Sequence, residues 1–149
     1  MEAVILIGLQ GAGKSTFFRE RFLATHAHIS LDVLKTRHRE RTFLMECLNA
    51  RRPLVVDNTN PARSDREAYI VPARHAGYRI VGYYFQSRVE ECHRRNGQRS
   101  EAEQVPFIGL LGTAMRLERP RYDEGFDELH YVRIGDDGKF VVEEWLDEV

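Results

Sequence analysis

Near the N-terminus, four aliphatic residues lead directly into a glycine-rich segment that ends in Lys and Ser. Residues 4–7 are consecutive Val, Ile, Leu and Ile, which predicts a strand buried on both faces. Residues 8–15 have the spacing Gly-x-x-x-x-Gly-Lys-Ser and open a helical pattern. Glycines let the backbone turn tightly and direct successive N–H groups inward, where the positive end of the helix adds to their attraction for phosphate. The segment therefore predicts a site for a nucleoside triphosphate.

Two side chains of this loop carry the predicted chemistry. Lys14 supplies a mobile positive charge for the β- and γ-phosphates, and Ser15 offers an oxygen to Mg²⁺. The predicted cofactors are thus ATP, or another nucleoside triphosphate, and Mg²⁺. The loop residues predicted to bind the nucleotide are Gly8, Gln10, Gly11, Ala12, Gly13, Lys14, Ser15 and Thr16.

Length and composition narrow the class of protein. A chain of 149 residues predicts one domain, spanning residues 1–149, with a core large enough to fold alone. Because no apolar run approaches the roughly 20 residues needed to cross a bilayer, we expect a cytoplasmic protein without a membrane partner. Cys47 and Cys92 lack metal-ligand spacing and predict reduced, partly buried thiols. His26 and His28 have no third ligand nearby and predict ordinary polar positions at a strand start.

Charge is divided unevenly along the chain. Residues 1–117 hold 18 Lys and Arg against 12 Asp and Glu, whereas residues 118–149 hold 4 against 11. A basic body followed by an acidic tail suggests that the functional surface faces polyanions. Solvated charge without a partner is the alternative interpretation of this pattern.

Strand and helix patterns alternate through most of the chain. This alternation predicts an α/β fold, a single P-loop NTPase or kinase domain with a mostly parallel sheet, helices on both faces and hairpin-like strands at the C-terminal end. Capping boxes are predicted at Ser64 with Glu67 and at Ser87 with Glu90. The predicted strands are 4–7, 26–31, 54–56, 79–85, 131–134 and 140–142, and the predicted helices are 15–25, 32–49, 64–75, one from 87 and one from about 106 to 117.

Polar residues follow several of these strands, at the edge of the sheet where ligands bind in such folds. Asp32 follows the second strand and heads a basic helix, so it is either a general base for phosphoryl transfer or a helix N-cap. Asp57 follows the third strand, which favours a metal-binding carboxylate over a plain turn residue. Arg95 and Arg99 lie four apart after the fourth strand and, on one helix face, could cover the γ-phosphate.

Five motifs are spread in order along nearly the whole chain. They are Gly8-x-x-Gly11-x-Gly13-Lys14-Ser15-Thr16, Ser30-Leu31-Asp32, Asp57-Asn58-Thr59-Asn60-Pro61, Arg95-Asn96-x-x-Arg99 and Pro120-x-x-x-Glu124-Gly125-Phe126. In this order and spacing they resemble the kinase domain of the 5′-hydroxyl polynucleotide kinases. The phosphate loop alone is shared by many proteins. The combination of Asp-Asn-Thr-Asn-Pro with Arg-Asn-x-x-Arg is more specific.

The resemblance implies roles for individual residues. Asp32 would take the proton of a 5′-hydroxyl, and Arg95 and Arg99 would belong to a lid over the donor phosphates. Asp57 and its neighbours Asn58, Thr59 and Asn60 would border the acceptor. The family's arginine three residues after the base, which contacts the acceptor's 3′-phosphate, is Lys35 here, and a lysine lacks the bidentate fork of arginine. Arg37 is a candidate to compensate, so both are taken as acceptor-binding residues.

Three functions follow as hypotheses. The first is transfer of the γ-phosphoryl group of a nucleoside triphosphate to the 5′-hydroxyl end of DNA or RNA, with those ends as partners. The second is a small-molecule kinase acting on a metabolite, antibiotic or nucleotide sugar. The third is a nucleotide-binding NTPase that acts through a partner and needs no Asp32. A polynucleotide acceptor predicts steep salt dependence, whereas a neutral metabolite does not.

Overall fold

The computed structural model describes residues 1–146 and places six strands in one sheet. The order across the sheet is β2-β3-β1-β4-β5-β6. The first five strands run parallel and β6 runs antiparallel to β5, which confirms the predicted mostly parallel sheet with a C-terminal hairpin. The strands are β1 (Glu2–Ile7), β2 (Ala27–Ile29), β3 (Leu54–Asp57), β4 (Arg79–Phe85), β5 (Glu128–Ile134) and β6 (Phe140–Glu144).

Helices pack on both faces of this sheet. Alternate residues of β1 point to opposite faces, so Ile5 packs with residues of α3 and α4, whereas Leu6 packs with residues of α1, α5 and α6. The two cores thus lie on opposite faces of the sheet, between the strands and the helices. The helices are α1 (Lys14–Arg21), α2 (Leu31–Leu34), α3 (Arg37–Asn49), α4 (Arg63–His75), α5 (Val89–Gly97) and α6 (Phe107–Arg116), with a 3₁₀ turn at Tyr122–Glu124.

The predicted continuous helix over residues 32–49 is wrong. The backbone breaks at Lys35, whose φ of 76° lies in the left-handed region that residues with side chains rarely adopt. Thr36 then caps α3, and its Oγ1 accepts a hydrogen bond of 3.1 Å from the Arg39 N–H. The first N–H groups of a new helix have no partner within it, and the Thr36 hydroxyl accepts from one of them, that of Arg39. This cap stabilises a separate start of α3.

Both predicted capping boxes are also wrong. Helix α4 begins at Arg63, and Asp65 Oδ2 accepts a 3.0 Å hydrogen bond from the Ala62 N–H. Helix α5 begins at Val89, two residues after Ser87. The Ser87 hydroxyl bonds the Leu9 N–H and Phe85 O instead of capping the helix. Helix α1 ends at Arg21 rather than near residue 25, and β5 starts at Glu128, three residues before the predicted strand.

Two findings concern the remaining composition-based expectations. Cys47 and Cys92 are both free and buried, and burial raises the pKa of each thiol. Within residues 1–146, no helix is both long and apolar enough to cross a bilayer.

Candidate active site

The phosphate loop connects β1 to α1, and its shape requires glycine at two positions. Gly11 has a φ of 83°, and a Cβ placed there would lie 2.4 Å from the carbonyl oxygen of Cys92 in α5. Gly13 has a φ of 101° and is the N-cap of α1. The first N–H groups of α1 have no partner within the helix and are available to phosphate.

Neighbouring strands hold the entrance of this loop. The Gly8 N–H donates to Thr59 O at 3.0 Å, and the Leu9 N–H donates to Ser87 Oγ at 3.1 Å. The Ser87 hydroxyl in turn donates to Phe85 O at 2.8 Å. The loop is therefore anchored to the segments that follow β3 and β4 before any nucleotide binds.

Lys14 is almost fully enclosed, with 8% of its surface exposed. Its Nζ donates to the carbonyl oxygens of Gly8 and Leu9 at 2.8 and 2.7 Å. Burial lowers the pKa of this amine from 10.5 to about 8; Asp57 and Asp32 act in the opposite direction, and Arg99 lowers it further. Since all three charges affect Lys14, the structure brings these separate sequence candidates to one place.

Ser15 and Asp57 form the candidate magnesium site. The Ser15 hydroxyl donates to Asp57 Oδ2 at 2.8 Å, and His28 Nε2 lies 2.8 Å from the same oxygen. Burial acts to raise the pKa of Asp57, but the hydrogen bonds from His28 and Ser15 and the charge of Lys14 lower it overall. Asp57 is therefore an anionic oxygen donor next to a hydroxyl, which fits Mg²⁺, an ion that also keeps water and substrate phosphates as ligands. Across residues 1–146, no group of three or more His, Cys, Asp or Glu side chains could hold a metal on its own.

Asp32 lies in the first turn of α2, where its side chain is exposed. The N-cap of α2 is Ser30 rather than Asp32, so the capping interpretation of Asp32 is wrong. Its carboxylate therefore lies at the carboxyl edge of β2, close enough to Lys14 to affect the pKa of that amine.

The three residues after Asp57 have different surroundings. Asn58 Oδ1 accepts from the Leu31 N–H at 3.0 Å, next to Asp32. Thr59 uses its carbonyl for the phosphate loop. Asn60 is 3% exposed and donates from Nδ2 to Leu6 O at 2.8 Å. The described bonds of Thr59 and Asn60 thus support the phosphate loop, whereas Asn58 reaches toward Asp32.

A buried ion pair holds the loop that follows β3. Arg66 and Glu124 have side chains 0% and 1% exposed, and Arg66 Nε donates to Glu124 Oε1 at 2.7 Å. Arg66 Nη1 also donates to the carbonyl oxygens of Asn60 and Pro61. The Pro-x-x-x-Glu-Gly-Phe motif therefore contributes by holding the residues that follow Asp57.

The other loop residues and the two acceptor candidates lie around this centre. Gln10 Nε2 donates to Thr113 Oγ1 of α6 at 3.1 Å, Ala12 is buried, and Thr16 Oγ1 accepts from Arg19. Lys35 is exposed at the break between α2 and α3, and Arg37 begins α3. The two basic residues lie three and five positions after Asp32 along the chain.

The candidate lid, residues 95–105, contacts the phosphate loop through its first arginine. Arg95 Nη1 donates to Gly11 O at 3.2 Å, and Arg99 lies 3.7 Å from Glu103. Asn96 is 3% exposed and bonds both backbone groups of Val105, donating to its O at 2.7 Å and accepting from its N–H at 3.0 Å. This amide joins the two ends of the segment, and Arg99, which lies between them, is close enough to Lys14 to lower the pKa of its amine.

Removing either lid arginine is expected to lower turnover. Arg95→Ala and Arg99→Ala should each reduce kcat by about 10²-fold, by a similar factor for every acceptor, because both are proposed to contact charge that develops on the donor. Steady-state kinetics with two different acceptors measures this. Arg94→Ala, an exposed neighbour on α5, is the matched control, and an equal loss of kcat in this variant would contradict the assignment.

Several residues of the site escape sequence reasoning. His28, Ser87, Arg66 and Asn96 bond partners between 9 and 78 positions away, and a pattern of nearby residues cannot reveal such partners. For His28, the prediction of an ordinary polar position is wrong, since it bonds Asp57 and stacks on Phe18 at 3.9 Å between ring centroids. The sequence signal that could have indicated a role for His28 is its position one residue before the end of β2, close to the edge of the sheet where ligands bind.

The fold and the site together define the class: a P-loop kinase domain, with a nucleotide-binding loop and a Ser–Asp oxygen pair beside it. Residues 4–120 match the family model described as AAA domain, and the chain belongs to this family. A bifunctional polynucleotide phosphatase/kinase of Schizosaccharomyces pombe is 28% identical over 135 residues, covering 88% of this chain and 33% of that protein. A mimivirus protein of similar name is 27% identical over 138 residues, again 88% and 33%.

The chain thus spans about a third of the length of the curated relatives it matches. The sequence resemblance to polynucleotide kinases is confirmed. Among solved structures, Kti12 from Chaetomium thermophilum, in complex with ADP-AlF3, is similar with a TM-score of 0.68 and 17% identity, covering 91% of this chain and 90% of that chain. A gluconokinase from Sinorhizobium meliloti gives 0.62 and 20%, covering 91% and 83%. These likenesses confirm the fold.

Proposed function

We propose that this chain transfers the γ-phosphoryl group of ATP, or another nucleoside triphosphate, to the 5′-hydroxyl end of DNA or RNA. The observation that carries the proposal is the position of residues 35–41, where a basic segment begins three residues after Asp32. The names of the two curated relatives support it. We further propose that residues 1–149 form a single kinase domain, which the one sheet described for residues 1–146 supports.

In this proposal each group has one task. Asp32 accepts the proton of the 5′-hydroxyl while O5′ forms a bond to the γ-phosphorus and the bond from that phosphorus to the β–γ bridging oxygen breaks. Lys14, Arg95 and Arg99 stabilise the charge that moves onto the departing diphosphate. Ser15 and Asp57 would hold Mg²⁺, which when bound would neutralise negative charge on the phosphates of the nucleotide.

On the acceptor side, Lys35 and Arg37 bind phosphate, and Asn58, which reaches toward Asp32, borders the terminal nucleotide. The second candidate function is a metabolite kinase, and the specific observation in its favour is Lys35 in place of the family's arginine. A neutral metabolite needs no bidentate phosphate contact at this position.

The two functions differ in acceptor choice and in salt dependence. We expect transfer from γ-labelled ATP with Mg²⁺ to 5′-hydroxyl oligonucleotides and not to small alcohols or sugars. Lys35→Ala and Arg37→Ala should each raise the oligonucleotide KM and reduce the slope of log KM against log salt by about one counterion.

Arg79→Ala is the charge-matched control, because Arg79 lies at the opposite end of the sheet, paired with Glu128. If both acceptor variants keep the KM and the salt slope of this control, the polynucleotide acceptor gives way to the metabolite kinase. Labelled inorganic phosphate alone, with no acceptor phosphorylated, would instead favour the NTPase.

A further inference from the structure

Helix α3 carries a buried carboxylate for which the proposed mechanism has no use. Glu40 is 3% exposed, although glutamate is almost never fully buried unless it is paired. Its Oε1 accepts from the Tyr69 hydroxyl at 2.6 Å and from Arg37 Nη1 at 3.3 Å, and its Oε2 accepts from Asn58 Nδ2 at 2.8 Å. The carboxylate is thus surrounded by donors from three separate elements.

These donors also bond one another around the Tyr69 hydroxyl. Arg37 Nη1 donates to Tyr69 Oη at 3.0 Å, and Asn58 Nδ2 donates to the same oxygen at 3.1 Å. Burial, together with the hydrogen bond to Glu40, raises the pKa of Tyr69, so the hydroxyl stays protonated and donates to the carboxylate. We call Glu40, Tyr69, Asn58 and Arg37 the Glu40 network.

Two members of the Glu40 network lead to the acceptor side of the site. Asn58 accepts from the Leu31 N–H at 3.0 Å, and the next residue is Asp32. Because an amide cannot rotate freely when both its ends are bonded, Glu40 fixes the orientation of Asn58 and hence the turn that carries Asp32.

Arg37 is the second member that reaches the site. Its side chain is 67% exposed although one nitrogen is bonded to Glu40, so part of the guanidinium is held while the rest faces solvent. An arginine whose direction is set in this way loses less freedom when it binds phosphate than an unrestrained lysine does. Lys35, in contrast, is an exposed lysine at a strained backbone position.

We propose that Glu40 is a positioning residue for the acceptor: it orients Arg37 toward the first acceptor phosphate, and through Asn58 it positions the turn that carries Asp32. The inference rests on the proposed function and deepens it, because it assigns to Arg37 the contact that the family makes from the position of Lys35.

The test is a double-mutant cycle between Glu40→Gln and Arg37→Ala. The Gln side chain keeps the shape but turns one accepting oxygen into a donor and removes the charge that holds Arg37. Each single variant should raise the oligonucleotide KM by about tenfold, and the double variant should raise it no further than either single variant, since both act through one contact. Glu40→Gln should in addition lower kcat, because the turn of Asp32 loosens, whereas the Kd of ATP should stay unchanged.

A second variant covers the case in which Glu40→Gln folds poorly. Tyr69→Phe removes only the hydroxyl shared by Glu40 and Arg37 and keeps the ring in the core, so it should raise the oligonucleotide KM without changing the Kd of ATP. Glu46→Gln, the same chemical change at an exposed position of α3, is the matched control and should behave as wild type.

The outcomes distinguish the positioning role of Glu40 from the proposed polynucleotide kinase activity. If the KM effects of Glu40→Gln and Arg37→Ala multiply, or if Glu40→Gln and Tyr69→Phe lower Tm with no change in KM, the positioning role is overturned while the polynucleotide acceptor stands. If the wild-type protein phosphorylates no 5′-hydroxyl oligonucleotide, the proposed function is overturned, and the acceptor role of Glu40 with it.

Discussion

Lys14→Ala is expected to reduce phosphoryl transfer by about 10³-fold or more, the largest effect of any single change in this chain. The reason is that the Lys14 amine is held against the carbonyl oxygens of Gly8 and Leu9 in the phosphate loop, so its charge acts where phosphoryl transfer moves negative charge onto the donor. Single-turnover measurements at saturating nucleotide report this loss directly. Near-wild-type turnover in the variant would exclude the loop as the active site.

The same substitution also has a predicted effect on stability, with a sign that follows from the pKa. Burial lowers the pKa of Lys14 from 10.5 to about 8 in the folded protein, so the unfolded chain binds more protons between these values. The free energy of unfolding of the wild type should therefore rise between pH 8 and pH 10.5 relative to Lys14→Ala. Denaturant titrations of both proteins across this range measure the difference, and parallel pH profiles would contradict the lowered pKa.

Asp32→Asn is expected to reduce transfer by about 10²-fold or more while Tm and the Kd of ATP stay unchanged. The amide is nearly isosteric with the carboxylate but cannot accept the proton of the acceptor hydroxyl. Stability should be preserved because Ser30, not Asp32, is the N-cap of α2 and the Asp32 side chain is exposed.

Two measurements on Asp32→Asn separate catalysis from structure. Transfer is followed with γ-labelled ATP, and Tm is followed by thermal unfolding of the same preparation. A sharp fall in Tm with specific activity retained would show that the carboxylate supports the fold rather than the reaction.

The amino-acid sequence alone determined the elements whose signals are local. The phosphate loop is recognisable because glycine, Lys14 and Ser15 must occur at set spacings between a buried strand and a helix. The parallel sheet follows from the alternation of short aliphatic runs with helical patterns. The strand ends also indicated Asp32 and Asp57, since side chains after parallel strands meet at one edge of the sheet.

Only the tertiary structure decided which polar groups bond one another across the chain. The Glu40 network joins residues from two helices and one loop, and Arg66 with Glu124 joins residues 58 positions apart. Sequence patterns also failed at Lys35 and Ser87, where local propensity predicted a continuous helix and a helix cap. After Lys35, the Thr36 cap starts a new helix. The Ser87 hydroxyl bonds the Leu9 N–H of the phosphate loop rather than capping α5. The physical reason is that buried polar groups must find partners wherever the fold brings them, and those partners are distant in the chain.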